Sequence, residues 1–140
     1  MKYNEDDNKS VVGGKIMDYK IDDKNLDVSM FISFVNQVWQ GNYDVEQTRM
    51  ALSKTLNITA YDNKKLVGCL RILSDGYYFG TITELLVLPQ YQKQGIGSKL
   101  LQLAKDKFNL QKMSGNAKQT VKCMDNNNRL KIWSELTNDN

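Results

Sequence analysis

A turn of glutamines and glycines, Gln92-Lys93-Gln94-Gly95-Ile96-Gly97, separates two apolar segments of a 140-residue chain. Glycine lets a backbone approach a ligand closely and adopt positive φ. The residues that follow, Ser98, Leu100, Leu101, Leu103 and Ala104, recur at helical spacing. The first N–H groups of a helix have no intrahelical partner, and the dipole there is positive. A diphosphate set against such a turn would accept several hydrogen bonds at once. Lys93 and Lys99 add positive charge nearby, so the chemistry these residues suit is anion binding. Two better-known phosphate motifs are excluded. Gly13-Gly14-Lys15 is followed by Ile16 and has no earlier glycine at the right spacing, and Leu100 holds the place of a third glycine in G-x-G-x-x-G.

A single carboxylate, Glu84, precedes the apolar run Leu85–Leu88. That run reads as a buried strand, and Pro89, which has no N–H for a ladder, ends it. Other chemistries are ruled out by composition. With no histidine, the chain lacks the commonest general base and the commonest transition-metal ligand. Cys69 and Cys123 fit no metal spacing. A metal site and a Ser-His-Asp triad are therefore set aside, and Cys69, inside a predicted strand, is expected to be a small buried apolar residue.

Several elements must position that turn and that carboxylate. Met1–Gly14 is polar and acidic and is expected to be a flexible leader, with residues 15–140 forming one domain. Lys15–Asp22 alternates weakly, as a first strand would. Asp27 or Ser29 could cap a helix whose apolar stripe is Phe31, Phe34, Val35, Val38 and Trp39. Asp44, with Gln47 three residues on, caps a second helix running to about Lys54. Asn57–Tyr61 and Leu66–Leu73 read as a hairpin, Ser74-Asp75-Gly76 as a turn, and Tyr77–Glu84 as the approach to the central strand. Beyond Phe108 the pattern weakens to a short strand over Gln119–Met124 and a helix over Arg129–Leu136.

The apolar share of 41% and charged share of 25% suit a globular chain. No apolar run approaches the ~20 residues of a membrane span, and the N-terminus lacks the regions of a secretory signal. A cytoplasmic location is the default expectation. The net charge of +3 is concentrated toward the C-terminal part, but no basic stretch is dense or interleaved with aromatics, which argues against nucleic acid as a partner.

The ordered set of buried strand, Pro89, Tyr91, Gln92-x-x-Gly95-x-Gly97 and amphipathic helix closely resembles the acyl-CoA-binding motif of the GNAT superfamily of N-acetyltransferases, Q/R-x-x-G-x-G/A. The element order β, α, α, β, β, β, α over Ile16–Phe108 agrees with that family. The resemblance implies an α+β fold, a mixed central sheet flanked by helices, with an atypical part after residue 108 and without a final hairpin. It also implies acetyl-CoA as the acetyl donor, a small primary amine or peptide amine as acceptor, direct attack, and no metal. Glu84 would be the base. Leu85, Leu86 and Val87 match positions whose backbone meets the pantetheine arm. Gln92, Lys93, Gln94, Gly95, Ile96, Gly97 and Ser98 match the diphosphate loop. Trp39 and Tyr43 fall where the family places acceptor contacts, and suit an apolar or aromatic amine. The family's usual tyrosine acid aligns with Trp133, whose indole donates only; Tyr77, Tyr78 and Tyr91 are expected to pack or line the acceptor side. Either water protonates the leaving thiolate, or the enzyme is slow, or the chain is a CoA-binding module that self-associates as a homodimer through an open sheet edge.

Overall fold

The apolar periodicity is realised in a mixed sheet whose strand order among the described residues is β1-β2-β3-β4-β5-β6-β7. The computed structural model describes residues 8–75, 80–108, 122–124 and 130–132. In chain order the elements are β1 (Lys9–Val12), β2 (Lys15–Lys20), α1 (Val28–Val38), α2 (Val45–Ser53), β3 (Leu56–Asp62), β4 (Lys65–Ser74), β5 (Gly80–Val87), α3 (Ile96–Phe108), β6 (Lys122–Met124) and β7 (Leu130–Ile132). Neighbouring strands are antiparallel, apart from β5 and β6, which run parallel. Among the described residues no helix is long and apolar enough to cross a membrane.

Helices cover both faces of the central strands, so β4 is buried almost continuously from Leu66 to Leu70. Strand alternation sorts its side chains between the two layers. Arg71 stacks on Phe31 of α1, whereas Gly68 meets α3. A Cβ at Gly68 would lie 3.2 Å from both Ile96 Cγ2 and Leu100 Cδ1. Glycine is therefore what lets α3 sit directly on the strand. Ile96, Leu100 and Ala104, spaced along one face of α3, are buried there.

The other layer is fixed by its caps. Asp27 accepts a hydrogen bond from Met30 N at 2.8 Å, and Asp44 accepts one from Gln47 N at 2.8 Å. Ahead of α1, the buried Asp23 accepts from Thr59 Oγ1 (2.8 Å) and Tyr61 Oη (2.6 Å), which pins that loop to β3. Burial, and then the Asp23 carboxylate, push the Tyr61 phenol well above its usual range.

The structure departs from the sequence reading in three places. Lys9–Val12, expected within a flexible leader, form β1, which turns through Gly13 (φ +56°) and Gly14 (φ +80°) into β2. Val12 is buried by this pairing, an apolar anchor hidden behind a polar N-terminal composition. Trp39 is not part of the buried stripe. Phe31, Phe34, Val35 and Val38 are buried, but α1 ends at Val38, and Trp39 caps it in an extended conformation, 45% exposed. Finally, Leu130–Ile132, expected to be helical, pair with β6 as the antiparallel strand β7. Residues 133–140, which the expected helix enters and beyond which no closing hairpin was expected, lie outside the described residues, as do Gly76 and Tyr77–Phe79.

The seating of α3 gives a direct test. Gly68→Val should destabilise the fold by about 1–3 kcal/mol through overpacking against Ile96 and Leu100, read as a lower urea midpoint with an unchanged slope. Gly68→Ala should show a smaller loss. Wild-type stability in Gly68→Val would show that α3 is not seated on this strand.

Candidate active site

The turn predicted to bind anions is built at the end of β5. After Val87 the chain passes through a single 3-10 turn, Pro89–Tyr91, where Tyr91 N bonds to Leu88 O at 2.9 Å. Lys93 (φ +63°) and Gly95 (φ +92°) are left-handed. Space is not what requires glycine at position 95, since a Cβ there would meet nothing within 4 Å; the backbone angle requires it. The first α3 bond runs from Lys99 N to Gly95 O at 3.0 Å, so the N–H groups of Ile96, Gly97 and Ser98 form the open first turn of the helix. At Gly97 a Cβ would meet only Val87 Cγ2, at an ordinary 3.8 Å, so alanine would fit.

Two side chains fix this turn. Gln92 Nε2 donates to Val87 O at 2.8 Å, tying the turn back to β5. Tyr91 Oη donates to Asp62 Oδ2 at 2.5 Å, tying it to the β3–β4 connection, where Lys15 also bridges Asp62 at 3.3 Å. Tyr91 thus packs beneath the turn and does not line the acceptor side.

Beside the turn, β5 runs parallel to β6. Their ladder among the described residues consists of one position, Leu85 opposite Cys123. Leu88 N bonds to Val67 O of β4 at 2.9 Å, and Gly68 stands opposite Val87. By the alternation of an antiparallel ladder, the N–H and C=O of Val87 then face away from β4, toward the side on which β6 pairs. The C=O is taken by Gln92, and the N–H faces the same side. Leu85 and Leu86 are buried, while Val87 is partly open.

On the α1–α2 face lies a cavity of about 540 Å³, and four of the predicted residues meet there: Glu84, Trp39, Tyr43 and Leu86, the last of these expected along the pantetheine arm. Gly41 makes room for Tyr43, since a Cβ at 41 would stand 3.1 Å from the Tyr43 ring. Tyr43 Oη donates to Trp39 O at 2.7 Å, closing the α1–α2 connection on itself. Burial, and then the Glu84 charge, raise the Tyr43 phenol above its usual value, so it stays protonated at neutral pH. A register shift between Arg71 and Ile72 brings the adjacent residues Thr83 and Glu84 both to the cavity wall, which a regular strand would not do.

Sequence reasoning missed Arg71. It stands opposite Glu84 and bonds Glu84 Oε2 through Nη1 at 2.9 Å, with both side chains largely shielded. The available signal was a lone charge in the run Leu66-Val67-Gly68-Cys69-Leu70-Arg71-Ile72-Leu73, since a charge on a buried strand needs a partner. Cys69 is buried as expected, and burial pushes its thiol above its usual range, leaving it inert. Trp133, Tyr77 and Tyr78 lie outside the described residues. Among the described residues no cluster of Cys, Asp and Glu could hold a metal ion.

The acetyltransferase (GNAT) domain family model matches residues 54–133, and the chain belongs to this family. An acetyltransferase of the GNAT family from Streptococcus pneumoniae TIGR4 superposes with a TM-score of 0.58 at 29% identity, over 66% of this chain and 68% of that one. A GNAT-family protein from Xanthomonas campestris pv. campestris gives 0.60 at 19% identity, over 69% and 70%. The aminoglycoside N-acetyltransferase AAC(6')-Iy, solved in complex with CoA, gives 0.52 at 16% identity, over 71% and 74%, a likeness of fold. No curated protein sequence matches the chain.

The Tyr91–Asp62 bond makes the anchoring of the turn depend on pH. The hydrogen bond from Tyr91, more than those from lysine, holds the Asp62 carboxyl below its usual value; the same bond raises Tyr91. A depressed carboxyl contributes stability above its unfolded pKa of about 3.9 and loses it as pH falls through the folded value. A raised phenol contributes below its unfolded pKa of about 10 and loses it as pH rises through the folded value. Wild type should therefore melt higher than Tyr91→Phe across the intervening window, with the gap narrowing at both ends. A gap that stays constant throughout would show that the bond does not anchor the turn.

Proposed function

We propose that the chain transfers the acetyl group of acetyl-CoA to a primary amine held in the cavity beside Glu84. The observation that carries this reading is the alignment of three parts along one strand. The open first turn of α3 follows the end of β5, the Val87 N–H faces away from β4, and Glu84 lies three residues back, about 10 Å at the ~3.3 Å rise of a strand. An extended thioester anchored by its diphosphate at the turn would run along that edge toward the carboxylate.

In this reading Gln92, Lys93, Gln94, Gly95, Ile96, Gly97 and Ser98 form the diphosphate loop. The N–H groups of the first α3 turn receive the phosphate oxygens, and Lys93 and Lys99 supply charge. Leu85, Leu86 and Val87 give the pantetheine arm a strand to lie along. The acceptor enters as an ammonium ion. Glu84 takes its proton, directly or through a water, and the neutral nitrogen attacks the thioester carbonyl. The new C–N bond forms, and the nitrogen gives up its second proton to water as the tetrahedral intermediate collapses. The C–S bond breaks, and the thiolate takes a proton from water, while Glu84 returns its proton to solvent. Tyr43 is not that acid, because its hydroxyl hydrogen is engaged by Trp39 O. Trp39 and Tyr43 form the apolar side of the acceptor cavity.

Calorimetric titration with acetyl-CoA, followed by thiol release over an amine panel, tests the reading. Glu84→Gln should lower kcat by roughly 10²–10⁴-fold while leaving acetyl-CoA affinity within a factor of two or so of wild type. Gly95→Val, which forces a branched residue to φ +92°, should weaken acetyl-CoA binding with the chain still folded. No heat of binding with acetyl-CoA would end the proposal at its first step.

A further inference from the structure

The acceptor cavity has a cation in its wall, and the acetyl-transfer chemistry leaves it without a task. Arg71 lies between Leu70 and Ile72, both completely buried, and its guanidinium faces the cavity. Three contacts hold it. Nη1 donates to Glu84 Oε2 at 2.9 Å, Nε donates to Thr55 Oγ1 at 3.3 Å, and the guanidinium carbon stands 5.7 Å from the centre of the Phe31 ring. Thr55 is itself held, donating to Asn57 Oδ1 at 2.6 Å, while Asn57 Nδ2 donates to Leu52 O at 2.9 Å. Two of the three contacts are independent of Glu84. The guanidinium would therefore keep its place when the carboxylate turns to a substrate.

We propose that Arg71 determines acceptor specificity, and that the acceptor carries a carboxylate beside its amino group, an α-amino acid with an apolar side chain being the simplest case. This rests on the reading of the cavity as the acceptor site. An ammonium ion that reaches Glu84 comes within one ion-pair distance of the guanidinium and is repelled by it. An acceptor with a carboxylate on the carbon bearing the amine removes that conflict. Its amine meets Glu84 while its carboxylate meets the planar fork of Arg71, so the wall pair is matched by a pair of opposite sense. Among the described residues the guanidinium's hydrogen bonds run through Nε and Nη1, which leaves Nη2 for the acceptor's carboxylate in this reading. Val35, Trp39 and Leu86 then offer an apolar bed for the side chain. A polycationic amine would instead place further positive charge against Arg71.

The test pairs each of three amino acids with the amine that lacks only its carboxylate: phenylalanine with phenethylamine, leucine with isoamylamine, and methionine with 3-(methylthio)propylamine. Each is titrated calorimetrically into the full chain, alone and saturated with CoA. At least one amino acid should bind tenfold or more tightly than its amine. Arg71→Lys should keep part of that preference and Arg71→Met should abolish it, with folding checked by the melting transition. Equal or tighter binding of the amines, absence of binding by all six compounds, or a preference that survives Arg71→Met would each overturn the proposal. If Arg71→Met does not fold, the wild-type pairs and Arg71→Lys decide. The outcome separates from that of acetyl transfer. Thiol release with simple amines but no preference for the carboxylate would refute this assignment and leave the transferase standing. Preference for the carboxylate without acetyl-CoA binding would do the reverse.

Discussion

Helix α3 rests on bare backbone. At Gly68 the strand has no side chain, and Ile96 and Leu100 close over it at a distance that a Cβ would crowd to 3.2 Å. That contact sets the height of α3 above the sheet, and through it the position of the helix N-terminus. The glycine turn is then located from three sides: α3 seated on β4, Gln92 bonded to the last carbonyl of β5, and Tyr91 bonded to Asp62 at the β3–β4 connection. A left-handed lysine, Lys93, is conformationally costly, and a free loop would not hold it. Here the neighbouring contacts do, so the open N–H groups point one way before any ligand arrives. Preorganisation of this kind reduces the ordering cost of binding.

On the opposite face the controlling feature is a defect in the ladder. The register shift at Arg71 and Ile72 brings Thr83 and Glu84 to the same wall, and sets Arg71 directly across from Glu84. A carboxylate on a buried strand without such a partner would carry a large desolvation cost. The Arg71 side chain is in turn supported by Thr55 and Asn57 at the start of β3. Residues at the end of α2 and in β3 thus bear on the geometry of a carboxylate two strands away.

How far the sequence discloses this arrangement follows from what each part is made of. The turn was legible because its function lies in the backbone. Positive φ calls for Gly95, a strand end is marked by Pro89, and a helix start is written in the spacing of Leu100, Leu103 and Ala104. These are local constraints with local signatures. Asp27 and Asp44 were legible as caps for the same reason. β1 was obscured because its acidic and polar setting outweighs the one residue, Val12, that it buries. Trp39 extended a helical stripe on paper, but α1 stops one residue earlier, and periodicity alone cannot locate an end to a single residue. Leu130–Ile132 carry too few residues to separate strand from helix by period, and only pairing with β6 decides it. Arg71 and Glu84 are thirteen residues apart, and nothing local announces that they are opposite one another.

The two halves of the site therefore differ in how they are encoded, and this bears on how much each can vary. The proposed cofactor side uses main-chain N–H groups, a strand edge and glycines, which many sequences can supply so long as the turn angles survive. It is here that the motif shared with the family lies. The proposed acceptor side uses side chains brought together by register: Glu84 and Arg71 from adjacent strands, Trp39 and Tyr43 from a connection folded around Gly41. A one-residue slip of β5 on β4 would send Glu84 to the α3 face and leave Arg71 unpaired, while the apolar run Leu85–Leu88 would still read as a strand. Membership of the family is thus compatible with very different acceptors. On the proposed reading, the ion pair in the cavity wall, rather than the glycine turn, is where the identity of this chain's acceptor is recorded.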